Sequence, residues 1–186
     1  QMRKLTADQP EWVHFGAGNI FRGFIGSIAQ KLLDEGYSKT GIIACETFDY
    51  DIIDKIYNPF DNLTLNVLMN ADGTTSRQIL ASIAEAIKAD FSCEKSFNRL
   101  KEVFTSPTLK MVSFTITEKG YQLKRTDGTL LPVVESDMNE GPYKARHAMS
   151  IVASLLLERF NSGAYPIAVV SMDNCSHNGE KLKSAV

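Results

Sequence analysis

Short apolar runs that give way to glycine or acidic residues recur along this chain, with amphipathic stretches between them. Trp12–Phe15 suffices for a short buried strand and runs straight into Gly16-Ala17-Gly18. A helical pattern starts near Phe21, places Ile25, Ile28, Ala29, Leu32 and Leu33 at helical spacing, and is closed by Gly36. Thr40–Cys45 predicts a second strand and Tyr50–Tyr57 a helix. Leu63–Asn70 alternates, Asn70–Gly73 turns, and Arg77–Ile87 continues as the partner strand of a hairpin, although the same residues also tolerate a helix. Ser92–Thr105 reads as a helix stopped before Pro107, and Leu109–Thr117 as a central strand. Gln122–Leu131, with Asp127-Gly128 inside, predicts a small hairpin. Gly141-Pro142 opens a long helix, Tyr143–Phe160, which Asn161-Ser162-Gly163 ends. Pro166–Ser171 is the last strand, and the chain stops inside a helix that has only begun.

Alternating strands and helices imply an α/β fold, a doubly wound and mostly parallel sheet with antiparallel hairpin insertions. The βαβ unit built from the first two strands is expected to be right-handed. Ligands of such sheets sit at the carboxyl ends of the strands, which singles out the Gly16 turn, Glu46, Thr117-Glu118 and Asp173-Asn174. Residues 1–186 are read as one domain, and the uncapped final helix predicts a cut before a further domain.

Strand, glycine turn, helix is the order that places a phosphate at a helix N-terminus, where unpaired N–H groups and the dipole attract negative charge. Gly16 allows the tight turn, and Gly18 removes the Cβ that would hold a pyrophosphate off the backbone. The third glycine of G-x-G-x-x-G would fall at Phe21, and an ordinary strand-to-helix turn remains the alternative. An acid at the end of the second strand suits an NAD ribose, whose hydroxyls it accepts while repelling the 2′-phosphate of NADP. Glu46 stands there; with Asp49 it could equally start the next helix. Glu118 could orient a ligand or relay a proton, or be a turn acid in water. Asp173 and Asn174 could bind ribose or present an amide to a substrate oxygen, or cap the last helix.

Composition narrows the function classes. Twenty basic against twenty-two acidic residues give a net charge of −2 with no Lys/Arg block, so no electrostatic case exists for nucleic acid or anionic lipid. No stretch reaches the ~20 apolar residues of a membrane span. Cys45, Cys93 and Cys175 lack metal spacing and read as free thiols of a reducing compartment, which makes the cytoplasm the expected location. His14, His147 and His177 are scattered, so no metal site is expected; His14 reads as a packed core residue and His177 as a surface one. G-x-S-x-G and the Lys-Ser/Thr end of a P-loop are both missing.

Taken together, His14–Phe24, Val112–Tyr121 and Ser171–Gly179 resemble the mannitol dehydrogenase family of polyol-specific long-chain dehydrogenases. The resemblance spans nearly the whole chain and covers the N-terminal, Rossmann-like half of that architecture. It implies NAD binding and metal-independent hydride transfer between a secondary alcohol and a ketone. It marks Gly16, Gly18, Asn19, Ile20, Phe21 and Arg22 as the pyrophosphate loop, since the family favours Gly-x-Gly-Asn followed by Arg over three glycines. It places Thr117 with the cofactor, Glu118 near the nicotinamide end and Asn174 against the reacting oxygen, and it makes Asp61 a competitor of Glu46 for the ribose. The family's general base is a lysine in an all-helical C-terminal domain, with no equivalent here. Within the family, the preferred substrate pair is D-mannonate/D-fructuronate. The alternatives are mannitol, mannitol 1-phosphate, or a module that binds NAD(H) without chemistry.

Overall fold

The computed structural model describes all 186 residues, Gln1–Val186. In chain order the strands are β1 (Trp12–Phe15), β2 (Ile42–Glu46), β3 (Thr64–Met69), β4 (Thr75–Leu80), β5 (Ile83–Lys88), β6 (Met111–Phe114) and β7 (Ala168–Ser171). The helices are α1 (Met2–Asp8), α2 (Gly26–Asp34), α3 (Glu94–Thr105), α4 (Pro132–Glu140), α5 (Ala148–Gly163) and α6 (Asn178–Ala185). The five-stranded sheet has the order β5-β2-β1-β6-β7 and is parallel throughout. The chain winds outward from β1 to one edge, then returns to place β6 on its other side. That reversal opens a crevice between the carboxyl ends of β1 and β6.

Residues of β1, β2 and β6 divide between the two faces of the sheet, as period-two strands must. Val13, Phe15, Ile43, Val112 and Phe114 pack with Leu100, Val103 and Phe104 of α3 and Ile151, Val152 and Leu155 of α5. Ala44 and Ile42 face the other way, onto Phe21, Ile25 and Ala29, with Ile53 and Tyr57 beside them. Two π-helical turns occur on this second face, Phe21–Ile25 just before α2 and Ile53–Tyr57 after β2. Such turns shift the helix register by a residue and concentrate at functional sites.

Several boundaries differ from the sequence pattern, each for a local reason. The run Arg77–Ile87 is two strands. Its first part pairs antiparallel with β3 around the predicted Asp72-Gly73 turn, and its second part joins β2 in the main sheet. The break falls at Ala81-Ser82: Gln30 accepts the Ala81 N–H at 2.8 Å and the Ser82 hydroxyl donates to the Gly26 carbonyl at 2.7 Å. The long helix begins at Ala148 rather than Tyr143. The nearly buried Asp137 carboxylate takes the N–H groups of Arg146 and His147 at 3.1 and 2.8 Å, holding that stretch extended, and His147 Nδ1 then caps α5 through Met149 N–H. Asp137 lies on α4, which the pattern did not predict. The polar N-terminus is also helical, and Thr6 pins α1 to the entrance of β2 by accepting the Gly41 N–H at 2.8 Å.

Two buried polar groups hold the sheet. Arg159 of α5 is 2% exposed, and its guanidinium donates only to backbone carbonyls: Phe104, Ser106, Leu109, Tyr165 and Pro166, at 2.7 to 3.0 Å. It thereby fastens the ends of α3 and α5 to the chain entering β6 and β7. His14 of β1 has no exposed surface and bonds to the Ser113 hydroxyl of β6 and the Thr115 hydroxyl just after it, at 2.7 and 2.8 Å. Burial lowers its pKa to about 3, so the ring is neutral.

Arg159→Met should cost on the order of 3 kcal/mol or more in urea unfolding, because five backbone carbonyls, those of Phe104 and Leu109 in fully buried bonds, lose their donor. A loss under about 1 kcal/mol would contradict the fastening role. For His14 the folded pKa lies below the unfolded one, so its contribution is complete above pH 6.5 and declines as pH falls toward 3. The slope approaches roughly 1.4 kcal/mol per pH unit in that window. Unfolding curves at pH 7 and pH 5 should show this decline in the natural chain, and His14→Phe should reduce it.

Candidate functional site

The carboxyl edge of the sheet is continuous. Gly16 N–H donates to Cys45 O at 2.9 Å, Thr115 N–H to Phe15 O at 2.9 Å, and Met172 N–H to Phe114 O at 2.8 Å. Glu46, the Gly16 turn, Thr115–Glu118 and Met172–Asn174 thus line up in that order across neighbouring strands.

Gly16 sits at φ +103°, and a Cβ there would lie 2.0 Å from the Thr115 carbonyl oxygen. No other residue fits. Gly18 is the opposite case: a Cβ on it would meet nothing within 4 Å. Its glycine has no steric reason inside the chain, which is the condition expected where a ligand approaches the backbone. Helix begins at Asn19, the Arg22 N–H reaching back to Gly18 O at 3.0 Å, so the N–H groups of the first turn are left for a ligand. Arg22 donates to the Asn19 side chain, while its buried Nε has no partner. Beside Asn19 and Arg22 opens a groove of about 650 Å³, walled by Ile56, Phe60, Leu65 and Ile79.

Both backbone groups of Ala17 are held by side chains. Its N–H donates to Glu46 Oε2 at 3.1 Å, and its carbonyl accepts the Tyr57 hydroxyl at 2.8 Å. Glu46 Oε1 also accepts from Thr47 and Phe48 N–H, at 2.9 and 3.1 Å. The acid therefore faces the glycine turn and does not start the next helix. Tyr57 was not singled out by the sequence; the only signal was its place on the apolar side of the segment after β2.

On the other side of the crevice, Asp173 accepts the Ile116 N–H at 3.2 Å and the Tyr121 hydroxyl, which also contacts Ser171 Oγ at 3.0 Å. Burial pushes the Asp173 carboxyl up from the usual range, and pushes the Tyr121 phenol up as well. This bridge fixes the loops after β6 and β7 to each other. Asn174 and Thr117 are exposed beside it. Asp173 and Asn174 do not cap α6, whose N-cap is His177. Glu118 is ion-paired with Lys181 of α6 at the surface. His177 is exposed and pairs with Glu180 at 3.3 Å.

The structure gathers Gly16, Gly18, Asn19, Ile20, Phe21, Arg22 and Glu46 on one side of the crevice and Thr117, Glu118 and Asn174 on the other. Asp61 is not among them. Its side chain is 77% exposed and bonded to Arg3 of α1, at 2.5 Å, and its neighbour Asn62 reaches the carbonyl of Ala84, the second residue of β5. That bond lies toward the amino end of β5, whereas Glu46 bonds to the glycine turn itself.

Comparison with known proteins agrees with this architecture. The mannitol dehydrogenase Rossmann domain matches residues 10–186. A D-mannonate oxidoreductase of Thermotoga maritima is 50% identical over 186 residues, all of this chain and 34% of the relative. Two solved structures superpose with TM-scores of 0.80: a D-sorbitol dehydrogenase in substrate-free form, 25% identical over 96% of this chain and 37% of its own, and the Pseudomonas fluorescens mannitol 2-dehydrogenase in a ternary complex with NAD and D-mannitol, 24% identical over 94% and 36%. The chain thus spans about a third of the length of the relatives it matches. On the match over residues 10–186, the chain belongs to the mannitol dehydrogenase family and carries its Rossmann domain.

Proposed function

We propose that this chain is the cofactor-binding part of an NAD-dependent oxidoreductase that interconverts D-mannonate and D-fructuronate. The observation that carries the reading is Gly18, whose missing side chain leaves open space in front of unpaired first-turn amides. The orphaned Arg22 Nε beside it supports an anionic ligand there. The choice of substrate rests on the relative from Thermotoga maritima, named for D-mannonate.

In this reading the amides of Gly18–Phe21 receive the pyrophosphate and Arg22 supplies positive charge. Glu46 accepts the hydroxyls of the adenosine ribose and repels a 2′-phosphate, which favours NAD over NADP. Across the crevice, Thr117 contacts the nicotinamide half, and Asn174 donates its amide to the oxygen of the reacting carbon. Glu118 lies nearby but is engaged with Lys181, so it orients polar groups there. NAD, when bound, supplies the hydride acceptor. The general base is assigned by the family resemblance to a lysine in a helical domain beyond the Rossmann fold. Three free cysteines support a reducing, cytoplasmic setting. No helix of the chain is long and apolar enough to cross a membrane.

Calorimetry should find NAD binding more tightly than NADP. Glu46→Ser should narrow or reverse that preference by roughly tenfold or more, the scale of one lost charge-assisted hydrogen bond. Gly18→Ala should leave the melting temperature nearly unchanged while weakening NAD binding by a similar factor, since its Cβ meets only space. With the whole protein, NADH absorbance at 340 nm should fall on adding D-fructuronate. Loss only with D-tagaturonate or fructose would reassign the substrate. Binding without turnover on any of them would favour a non-catalytic NAD(H) module.

A further inference from the structure

The buried polar line beneath the glycine turn has a single allowed direction. Trp12 Nε1 can only donate, and it donates to Ser113 Oγ at 2.7 Å. The Ser113 hydroxyl, with no exposed surface, then gives its hydrogen to His14 Nδ1 at 2.7 Å. The imidazole proton must therefore sit on Nε2, which donates to Thr115 Oγ1 at 2.8 Å. Thr115 in turn donates to the Gly16 carbonyl at 3.3 Å. The other tautomer would strand the Ser113 hydrogen in the core without an acceptor, a costly arrangement.

The same ring touches the far end of the turn. Phe21 is fully buried and stacks on His14 with centroids 4.2 Å apart and planes 6° from parallel. His14 thus governs Gly16 through Thr115 and Phe21 through its face, while the residues between them carry the ligand-facing amides. A phenylalanine could supply the stack and a serine the hydrogen bond, but only a neutral imidazole supplies both.

We infer that His14 is a positioning residue of the cofactor site, its Nε2–H tautomer setting the spacing between Gly16 and Phe21 so that the amides of Gly18–Phe21 converge on one anion. The inference rests on the dinucleotide reading above. It assigns His14 no contact with the ligand. Its partner Thr115 transmits the constraint, and loss of the Thr115 hydroxyl has the same effect as loss of the imidazole hydrogen bonds.

The test compares the natural chain with Thr115→Val, Thr115→Ser and His14→Phe at a temperature where circular dichroism shows all to be folded. Thr115→Val and His14→Phe should each weaken NAD binding about tenfold in calorimetry, as one ordering hydrogen bond is lost, and Thr115→Ser should retain binding. Nitrogen-15 imidazole spectra should show His14 protonated at Nε2 alone from pH 8 to pH 5. Equal NAD affinity in Thr115→Val and the natural chain, whatever happens to the melting temperature, overturns the inference, and so does an Nδ1–H tautomer. If the natural chain binds neither NAD nor NADP, the dinucleotide reading falls instead. Hydrogen exchange at Gly16–Phe21 then decides the positioning role: faster in Thr115→Val than in Thr115→Ser supports it, and equal rates overturn it.

Discussion

The backbone of Gly16 runs so close to the carbonyl of Thr115 that no side chain could stand between them. This approach joins the end of β1 to the end of β6 at the place where the winding of the sheet reverses, and the crevice exists because the two ends meet there. Most of what makes the site chemically specific is arranged around that contact. The glycine turn is lifted above it, Thr115 contributes a hydroxyl as well as a carbonyl, and the loop after β6 leads from it to Thr117 and Glu118.

The turn is more restrained than a glycine-rich loop need be. Glu46 and Tyr57 hold both backbone groups of Ala17, and His14 and Phe21 stack beneath it. A turn held from below and from one side keeps its free amides in place before any ligand arrives, which lowers the ordering entropy lost on binding. Glu46 has a double part, because the carboxylate suited to a ribose is also a bracket for the turn. The opposite wall is fixed by other means, with Asp173 and Tyr121 bridging the loops after β6 and β7.

Much of this was legible in the residues. Trp12–Phe15 followed by Gly-Ala-Gly announces strand and turn, the alternation around Asp72-Gly73 announces the hairpin, and Glu46 marks the end of β2. Periodicity reports which face of an element is buried, and it does so without regard to partners far away in sequence. It therefore missed features set by single side chains reaching across the fold. Asp137 delays the start of α5, and Gln30 and Ser82 split one apolar run between two sheets. Asp61 shows the same limit: a motif gives it an identity, but its position follows from its contact with Arg3, 58 residues earlier in the chain. The directional line through His14 could not be read at all, since its members come from β1 and from the strand about a hundred residues later.

Arg159 illustrates a different consequence. Its charge has no carboxylate to answer it; it is dissolved in main-chain oxygens drawn from the end of α3, the approach to β6 and the approach to β7. Main-chain acceptors survive every substitution except a change of path. The sequence of those three approaches can therefore drift freely while their course cannot, and the loops of the opposite edge remain aimed at one another through changes that would dismantle an ordinary ion pair.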